Sequence, residues 1–342
     1  MSTSIKKYSE AILDATDLML ASDPQVVLFG LGITAGAGGT ANGLHIKYPS
    51  QIFETPTSEA AATGLVVGAA ISGMKPIIHH DRVEFSLLAT DQMFTQAAKW
   101  NYMFGGDNNV PAVFRIIVGR QWGNGPQHSQ SFYSMFGNVR GIKVVIPSTP
   151  YMAKGLTIAA IKDKNPVVIL EPRWVYGIKQ DIPNDSYEVA LDKANVIKQG
   201  THATVVAYGD GLISVLQAQE LLKNTIDLEI IDLVSLNPID ENTIFESVRK
   251  TKKLICIDTT NESFNVGSEI ISRVARKCGN LDSAPLSISC PDVPCPTSTE
   301  LSEDYYPTRV SIANDILKYF GNAPLDIKLS FEEIHLAPGH TI

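Results

Sequence analysis

The residues with the strongest claim to chemistry stand in the run Glu54-Thr55-Pro56-Thr57-Ser58-Glu59-Ala60, which sets a carboxylate between an expected strand end and a nearly uncharged Ala/Gly-rich helix. A carboxylate buried at such a helix mouth loses solvation unless a specific donor meets it. Glu59 therefore reads either as an acid placed to hold a donor-bearing ligand, or as a helix-start acid favoured by the dipole, with Ser58 as N-cap. A second group follows in His79-His80-Asp81-Arg82-Val83-Glu84. Its Arg82 offers a bidentate fork suited to a carboxylate or phosphate, or closes an internal ion-pair cluster with Asp81 or Glu84. Adjacent strand residues point to opposite faces, so a metal held by His79, His80 and Asp81 is not expected. A third group is Gly123-Asn124-Gly125-Pro126-Gln127-His128-Ser129-Gln130. Histidine as a residue type suits proton transfer, so His128 reads either as a proton-transfer group or as a loop histidine packed against glycine turns.

Two glycine motifs carry less. The stretch Gly30-Leu31-Gly32-Ile33-Thr34-Ala35-Gly36 follows an expected strand but fits neither phosphate-binding fingerprint, and reads as a flexible turn near a site. Gly209-Asp210-Gly211 with Asn237 downstream nominally fits a magnesium and diphosphate motif, but it is short and lies in the carboxyl-terminal part of the chain.

The elements that must position these groups are legible in the apolar pattern. Short runs rich in Val and Ile (26–29, 76–78, 112–118, 143–146 and 167–170) alternate with helical stretches, the mark of a parallel sheet covered on both faces. From Glu171 to about Gly200 the periodicity stops, which suits a long connection. A second alternating set begins at Ala203, with runs at 203–207, 228–231 and 254–257 interleaved with helical stretches. Beyond Phe320 the pattern fades into an arm or disordered end. The expected fold class is α/β, two doubly wound domains.

At 342 residues and 44% hydrophobic content, the chain can build two cores of ordinary size. Its 28 basic against 36 acidic residues leave no electrostatic footprint for nucleic acid or anionic membrane. No apolar run approaches membrane-spanning length and the start lacks an apolar signal core, so a cytoplasmic protein is expected. Cys256, Cys278, Cys290 and Cys295 show no structural-zinc spacing and read as reduced.

Taken together, Thr55-Pro56-Thr57-Ser58-Glu59-Ala60, then Phe85 with Asp91-Gln92 and Ala97-Ala98-Lys99, then Gly123 to Gln130 resemble the beta subunit of the thiamine diphosphate-dependent first component of 2-oxoacid dehydrogenase complexes, including pyruvate, branched-chain and acetoin enzymes. The resemblance runs from about Tyr8 to Tyr319. It implies a pyrimidine-binding domain over residues 1–180, a transketolase carboxyl-terminal domain over 195–320 and a tail at 321–342. It also implies that Glu59 binds the aminopyrimidine ring nitrogen of the cofactor, driving the imino tautomer that removes the thiazolium proton. Phe85 matches the aromatic that stacks on the aminopyrimidine, against the plain alternative of a core Phe. Asp81, just ahead of it, is expected at the cofactor as well. His128 matches the active-site histidine that moves protons and meets the lipoyl acceptor. Ala112, Ala160, Ile161, Asp163 and Asn165 fall where some members bind potassium, mainly through carbonyls, although Asp163 to Pro166 would also make an ordinary helix-to-strand turn.

The resemblance further implies an alpha chain that carries the diphosphate and magnesium site, an alpha2-beta2 heterotetramer with thiamine diphosphate shared at the interface, and a lipoyl-bearing second component as acceptor. The chain departs from the family twice. It lacks the acidic pair that usually follows the first strand's glycine, and it replaces a mostly apolar stretch with His79 to Glu84. His80, Asp81 or Arg82 is accordingly expected to face a polar substrate. The leading expectation is a 2-oxoacid dehydrogenase beta subunit. The alternatives are a two-subunit carboligase acting on a sugar or aldehyde, and a non-catalytic scaffold.

Overall fold

Strands whose every residue is apolar on both faces must be covered on both faces, and this requirement organises the computed structural model, which describes residues 2–120 and 123–339. Their Cα positions form two compact units. One holds the described part of Met1–Val118, Asn138–Leu191 and Ala337–Ile342; the other holds that of Gly119–Gly137 and Asp192–Leu336.

In the first unit, β1 (Thr3–Lys7) precedes β2 (Val26–Gly30), β3 (Ile52–Glu54), β4 (Lys75–His80), β5 (Val113–Val118), β6 (Lys143–Val145), β7 (Val167–Pro172) and β8 (Lys179–Pro183). Strands β6, β7, β5, β4, β2 and β3 lie side by side in that order and pair in parallel. Every residue of β2, β5 and β7 is buried. From β2 the chain moves outward to β3, then crosses back to β4 on the other side of β2. The connections leaving the carboxyl ends of β2 and β4 therefore run in opposite directions, and the crevice left there is where doubly wound sheets bind ligands.

Helix Glu59–Ile71 enters just after β3, and helix Pro150–Lys162 starts with a proline at its first turn and with the Thr149 hydroxyl accepting the Met152 N–H at 3.3 Å. The stretch after Leu170, expected to be a connection, instead continues β7 to Pro172 and forms β8, which pairs antiparallel with β1 from the other end of the chain. The polar sequence Lys179-Gln180-Asp181 gave β8 no apolar run by which to be read.

The second unit contains β9 (Asn195–Lys198), β10 (Ala203–Ala207), β11 (Leu228–Asp232), β12 (Ser235–Asn237), β13 (Leu254–Asn261) and β14 (Leu286–Cys290). Its five-stranded sheet runs β14-β13-β10-β11-β9, parallel except for β9 at the edge. Helix Glu241–Thr251 is capped by Asp240 and helix Val266–Lys277 by Asn265, each side chain accepting the N–H three positions on. Helices Gly209–Leu222 and Arg309–Tyr319 pack their apolar residues onto the sheet, with Leu212, Val215, Ile312 and Ile316 all buried beside Val205, Ile230 and Ile255. Past Phe320, where no element was expected, Leu325 N–H donates to Asn314 Oδ1 at 2.7 Å and a short helix forms at Phe331–His335.

Candidate active site

Parallel pairing brings the carboxyl ends of three strands into register, with Gly30 opposite both Glu54 and His79. Gly30 allows this approach: a Cβ there would stand 3.1 Å from the His79 carbonyl oxygen and 3.2 Å from the His79 Cβ. A cavity of about 80 Å³ opens at this switch point, lined by Leu31, Thr55, Pro56, Glu59, Ala62, Ile78, His79, His80, Asp81 and Phe85. The fold thus brings together Glu59, His80, Asp81 and Phe85 from among the residues singled out in the sequence.

Glu59 is the first residue of its helix and half-buried. Ser58 occupies the N-cap position but its side chain makes no capping bond. No hydrogen bond or ion pair from the described residues reaches the Glu59 carboxylate, so it faces the cavity as an acceptor without a donor. Phe85, in the short helix Val83–Ser86, leaves 40% of its surface exposed while lining the same cavity. That exposure separates it from the ordinary core phenylalanine of the alternative reading.

His80 is buried and its Nε2 lies 3.2 Å from Thr63 Oγ1, one turn along the helix from Glu59. Burial, and then the neighbouring His79, pull the His80 imidazole down to about 3, so it is neutral at physiological pH. His79 Nε2 lies 3.4 Å from Asp81 Oδ1. This hydrogen bond is the largest influence holding the Asp81 carboxyl below its ordinary range, with burial opposing it and the charges of His79, Arg82 and Arg173 adding to it. Arg82 lies outside the cavity lining, its Nε 3.9 Å from Glu84 Oε2, which is the internal pair weighed against a substrate role.

Two features had no clear signal in the sequence. Glu54, at the end of β3, accepts the N–H of Gly32, the N–H of Thr34 at 2.9 Å and the Thr34 hydroxyl at 2.8 Å. Partial burial raises this carboxyl, but the Thr34 and Gly32 donors outweigh it and hold it low. The glycine turn, with Gly32 at φ +70, is therefore pinned where flexibility was expected, and Leu31 is held over the cavity. Beneath the site, fully buried Arg115 donates Nε to Glu171 Oε1 at 2.6 Å and Nη2 to Oε2 at 3.1 Å, while Tyr176 Oη donates to Oε2 at 2.7 Å. Burial pushes Glu171 up, but the Arg115 charge overcomes it and keeps the carboxyl below its ordinary range. The arginine within the apolar run of β5 was the one available hint.

The potassium set lies at the amino ends of β5 and β7, the opposite edge of the sheet from the cavity. There the Ala112 carbonyl accepts from Val167, the Ala160 carbonyl accepts from Asp163, and Asn165 Oδ1 is buried without a hydrogen-bond partner. Lys143 forms an ion pair with Asp163. An ammonium on the one charged member of the set suits a cation site poorly.

His128 belongs to the second unit, half-buried at the end of the turn Pro126–His128, with its N–H donating to Gly125 O at 3.3 Å. Its neighbours Pro126, Gln127 and Ser129 line a cavity of about 650 Å³ in that unit. Asp210 is buried, 3.4 Å from Arg120 Nε, and accepts the Thr259 hydroxyl at 2.8 Å. These partners occupy the carboxylate that the Gly209-Asp210-Gly211 motif would have offered to magnesium. Among the described residues no group of three His, Cys, Asp or Glu side chains is arranged to hold a metal.

Comparison with known proteins agrees with this architecture. Residues 5–179 match the transketolase pyrimidine-binding domain and residues 192–312 the transketolase C-terminal domain. A solved structure of a split-gene transketolase, an inactive beta4 tetramer, superposes with a TM-score of 0.74 at 18% identity, covering 91% of this chain and 97% of that one, a likeness of fold. The beta subunit of the acetoin:2,6-dichlorophenolindophenol oxidoreductase of Cupriavidus necator is 36% identical over 317 residues, 89% of this chain and 94% of the relative. The pyruvate dehydrogenase E1 component subunit beta of Acholeplasma laidlawii is 39% identical over 293 residues, 84% and 90% of the two chains. The mitochondrial one of Bos taurus is 37% identical over 308 residues, 87% and 86%. The chain belongs to the transketolase-like family of dehydrogenase E1-type beta subunits.

Proposed function

We propose that this chain is the beta subunit of a thiamine diphosphate-dependent 2-oxoacid dehydrogenase, working with an alpha subunit in an alpha2-beta2 tetramer and passing the acyl group to a lipoyl-bearing component. The observation that carries the reading is the Glu59 carboxylate, open to the switch-point cavity without a donor and faced by the partly exposed Phe85 ring. These residues fit an aminopyrimidine: a flat apolar surface for the ring and an acceptor for its protonated nitrogen. When bound, the cofactor supplies a carbon nucleophile and an electron sink for cleaving the bond beside a carbonyl.

In this reading Glu59 holds the proton at the ring nitrogen, and His128 serves as the proton-transfer group towards substrate and acceptor. His80, neutral and oriented by Thr63, presents a hydrogen-bonding face to the substrate, and Arg82 acts from beside it. Magnesium and the diphosphate are assigned to the alpha subunit, consistent with the commitment of Asp210 to Arg120 and Thr259. A cytoplasmic setting suits the four free cysteines. No helix among the described residues is long and apolar enough to cross a membrane. Cell fractionation tests the compartment.

The decisive experiment co-purifies the chain with candidate alpha subunits and titrates thiamine diphosphate by calorimetry, comparing wild type with Glu59→Gln. Cofactor binding that needs both chains is expected, with 2-oxoacid-dependent reduction of a lipoyl domain that falls by at least about a hundredfold in the variant. A wild-type complex that binds no cofactor overturns the reading.

A further inference from the structure

The switch-point cavity holds two carboxylates where binding of a single ring nitrogen calls for one. Glu59 reaches it from the start of its helix and Asp81 from the end of β4, with Phe85 lining the same space. Asp81 is not an idle surface acid. Its Oδ1 lies 3.4 Å from Nε2 of His79, whose side chain is fully buried, so the carboxylate is held from behind while 58% of its own side chain stays exposed. Arg82 and Arg173 are the nearby cations, and both lie outside the cavity lining. The remaining walls are apolar (Leu31, Ala62, Ile78) or uncharged (Thr55 and neutral His80). At about 80 Å³ the space suits the edge of one small ring, given that a water claims roughly 30 Å³ in the liquid.

An ionised carboxylate only accepts hydrogen bonds. Two of them around one aromatic surface select a heteroaromatic ring with donors on separate edges and reject one that presents a carbonyl oxygen to either. Resting on the function proposed above, we infer that Asp81, oriented by His79, is a second cofactor-binding carboxylate in this chain: it accepts a hydrogen bond from the exocyclic amino group of the pyrimidine while Glu59 takes the ring nitrogen. The two acids grip the ring from different edges, with Phe85 against its face. Asp81 therefore acts in cofactor selection, and His79 is its positioning residue.

The test is a pair of binding titrations on the purified alpha-beta complex, with thiamine diphosphate and with oxythiamine diphosphate, in which an oxygen replaces the exocyclic amino group. Asp81→Asn keeps the shape but can donate to that oxygen. It should weaken thiamine diphosphate about tenfold and improve oxythiamine diphosphate, collapsing the preference between them. Asp81→Ala should lose the first affinity without gaining the second. His79→Gln should move the preference in the same direction as Asp81→Asn but less. Thermal unfolding of each variant checks the fold; it should be unchanged in the Asp81 variants, whose side chain is mostly exposed, and a shift in His79→Gln is read against its own preference ratio, because that side chain is buried. A wild-type complex that binds neither compound sinks the function reading itself. A wild-type complex that binds thiamine diphosphate, with the preference unchanged in Asp81→Asn, sinks this inference alone and returns Asp81 to the substrate side.

Discussion

Thr63 Oγ1 lies 3.2 Å from His80 Nε2, and this contact ties the helix that begins at Glu59 to the strand end that floors the cavity. Thr63 is one turn from Glu59, so the same contact sets where the Glu59 carboxylate sits relative to β4.

The burial of His80 has a pH signature. The His80 imidazole titrates near 6.5 when unfolded and about 3 when folded, so between these values the unfolded chain binds more protons. Stability from this group is present above about pH 6.5 and is lost as pH falls towards 3, at up to about 1.4 kcal/mol per pH unit. Urea midpoints should hold from about pH 8 to pH 6.5 and fall from there to pH 5 in wild type, and that fall should flatten in His80→Gln, which keeps a partner for Thr63. Equal slopes would locate the acid sensitivity elsewhere.

Glu171→Gln should destabilise the first unit by about 3 kcal/mol, because it leaves the Arg115 guanidinium charged and fully buried. Denaturant unfolding measures it. The double change Arg115→Met with Glu171→Leu should recover much of the loss, since a well-packed apolar pair replaces a desolvated ionic one. Cofactor affinity should drop with the single change, as Glu171 also feels the charge of cavity-lining His79.

Asp210→Asn should leave the magnesium requirement of cofactor binding unchanged in the alpha-beta complex, because Arg120 and Thr259 already engage that carboxylate. Burial, its strongest influence, raises this carboxyl against the pull of Arg120 and Thr259. The variant's cost should appear in unfolding instead, by about 3 kcal/mol, because the buried Arg120 charge loses the Asp210 carboxylate. A raised magnesium midpoint would restore the motif as a metal ligand.

Arg82→Ala distinguishes its two assignments. If the side chain serves the substrate, KM should rise about fivefold or more while thiamine diphosphate affinity holds. Unchanged substrate kinetics with a modest loss of stability would leave Arg82 as the partner of Glu84 alone.

Much of the architecture was readable because burial on both faces leaves continuous Val and Ile runs, as in Val26–Gly30 and Val167–Pro172. The placement of Glu59 at a helix start was equally local, since it depends only on the residues just around it. The ribbon of β1 with β8 was not, because its polar strands carry no pattern and their partnership joins distant parts of the chain. Nor was the grouping of the described residues of 119–137 with the second unit, which interrupts the first along the chain.

By itself, the sequence determined the identity of the reactive groups, the alternation of strands and helices, and the family motifs running from Thr55 to His128. The tertiary structure alone decided which of those groups meet. Sheet order and parallel register bring Gly30, Glu54 and His79 to one edge. They place Asp81 in the cavity of Glu59 while Arg82, its neighbour in sequence, lies outside the lining. Local periodicity says which face a side chain takes, but the neighbour across that face is chosen by strand order, and that order arises only when distant segments bury their apolar surfaces together.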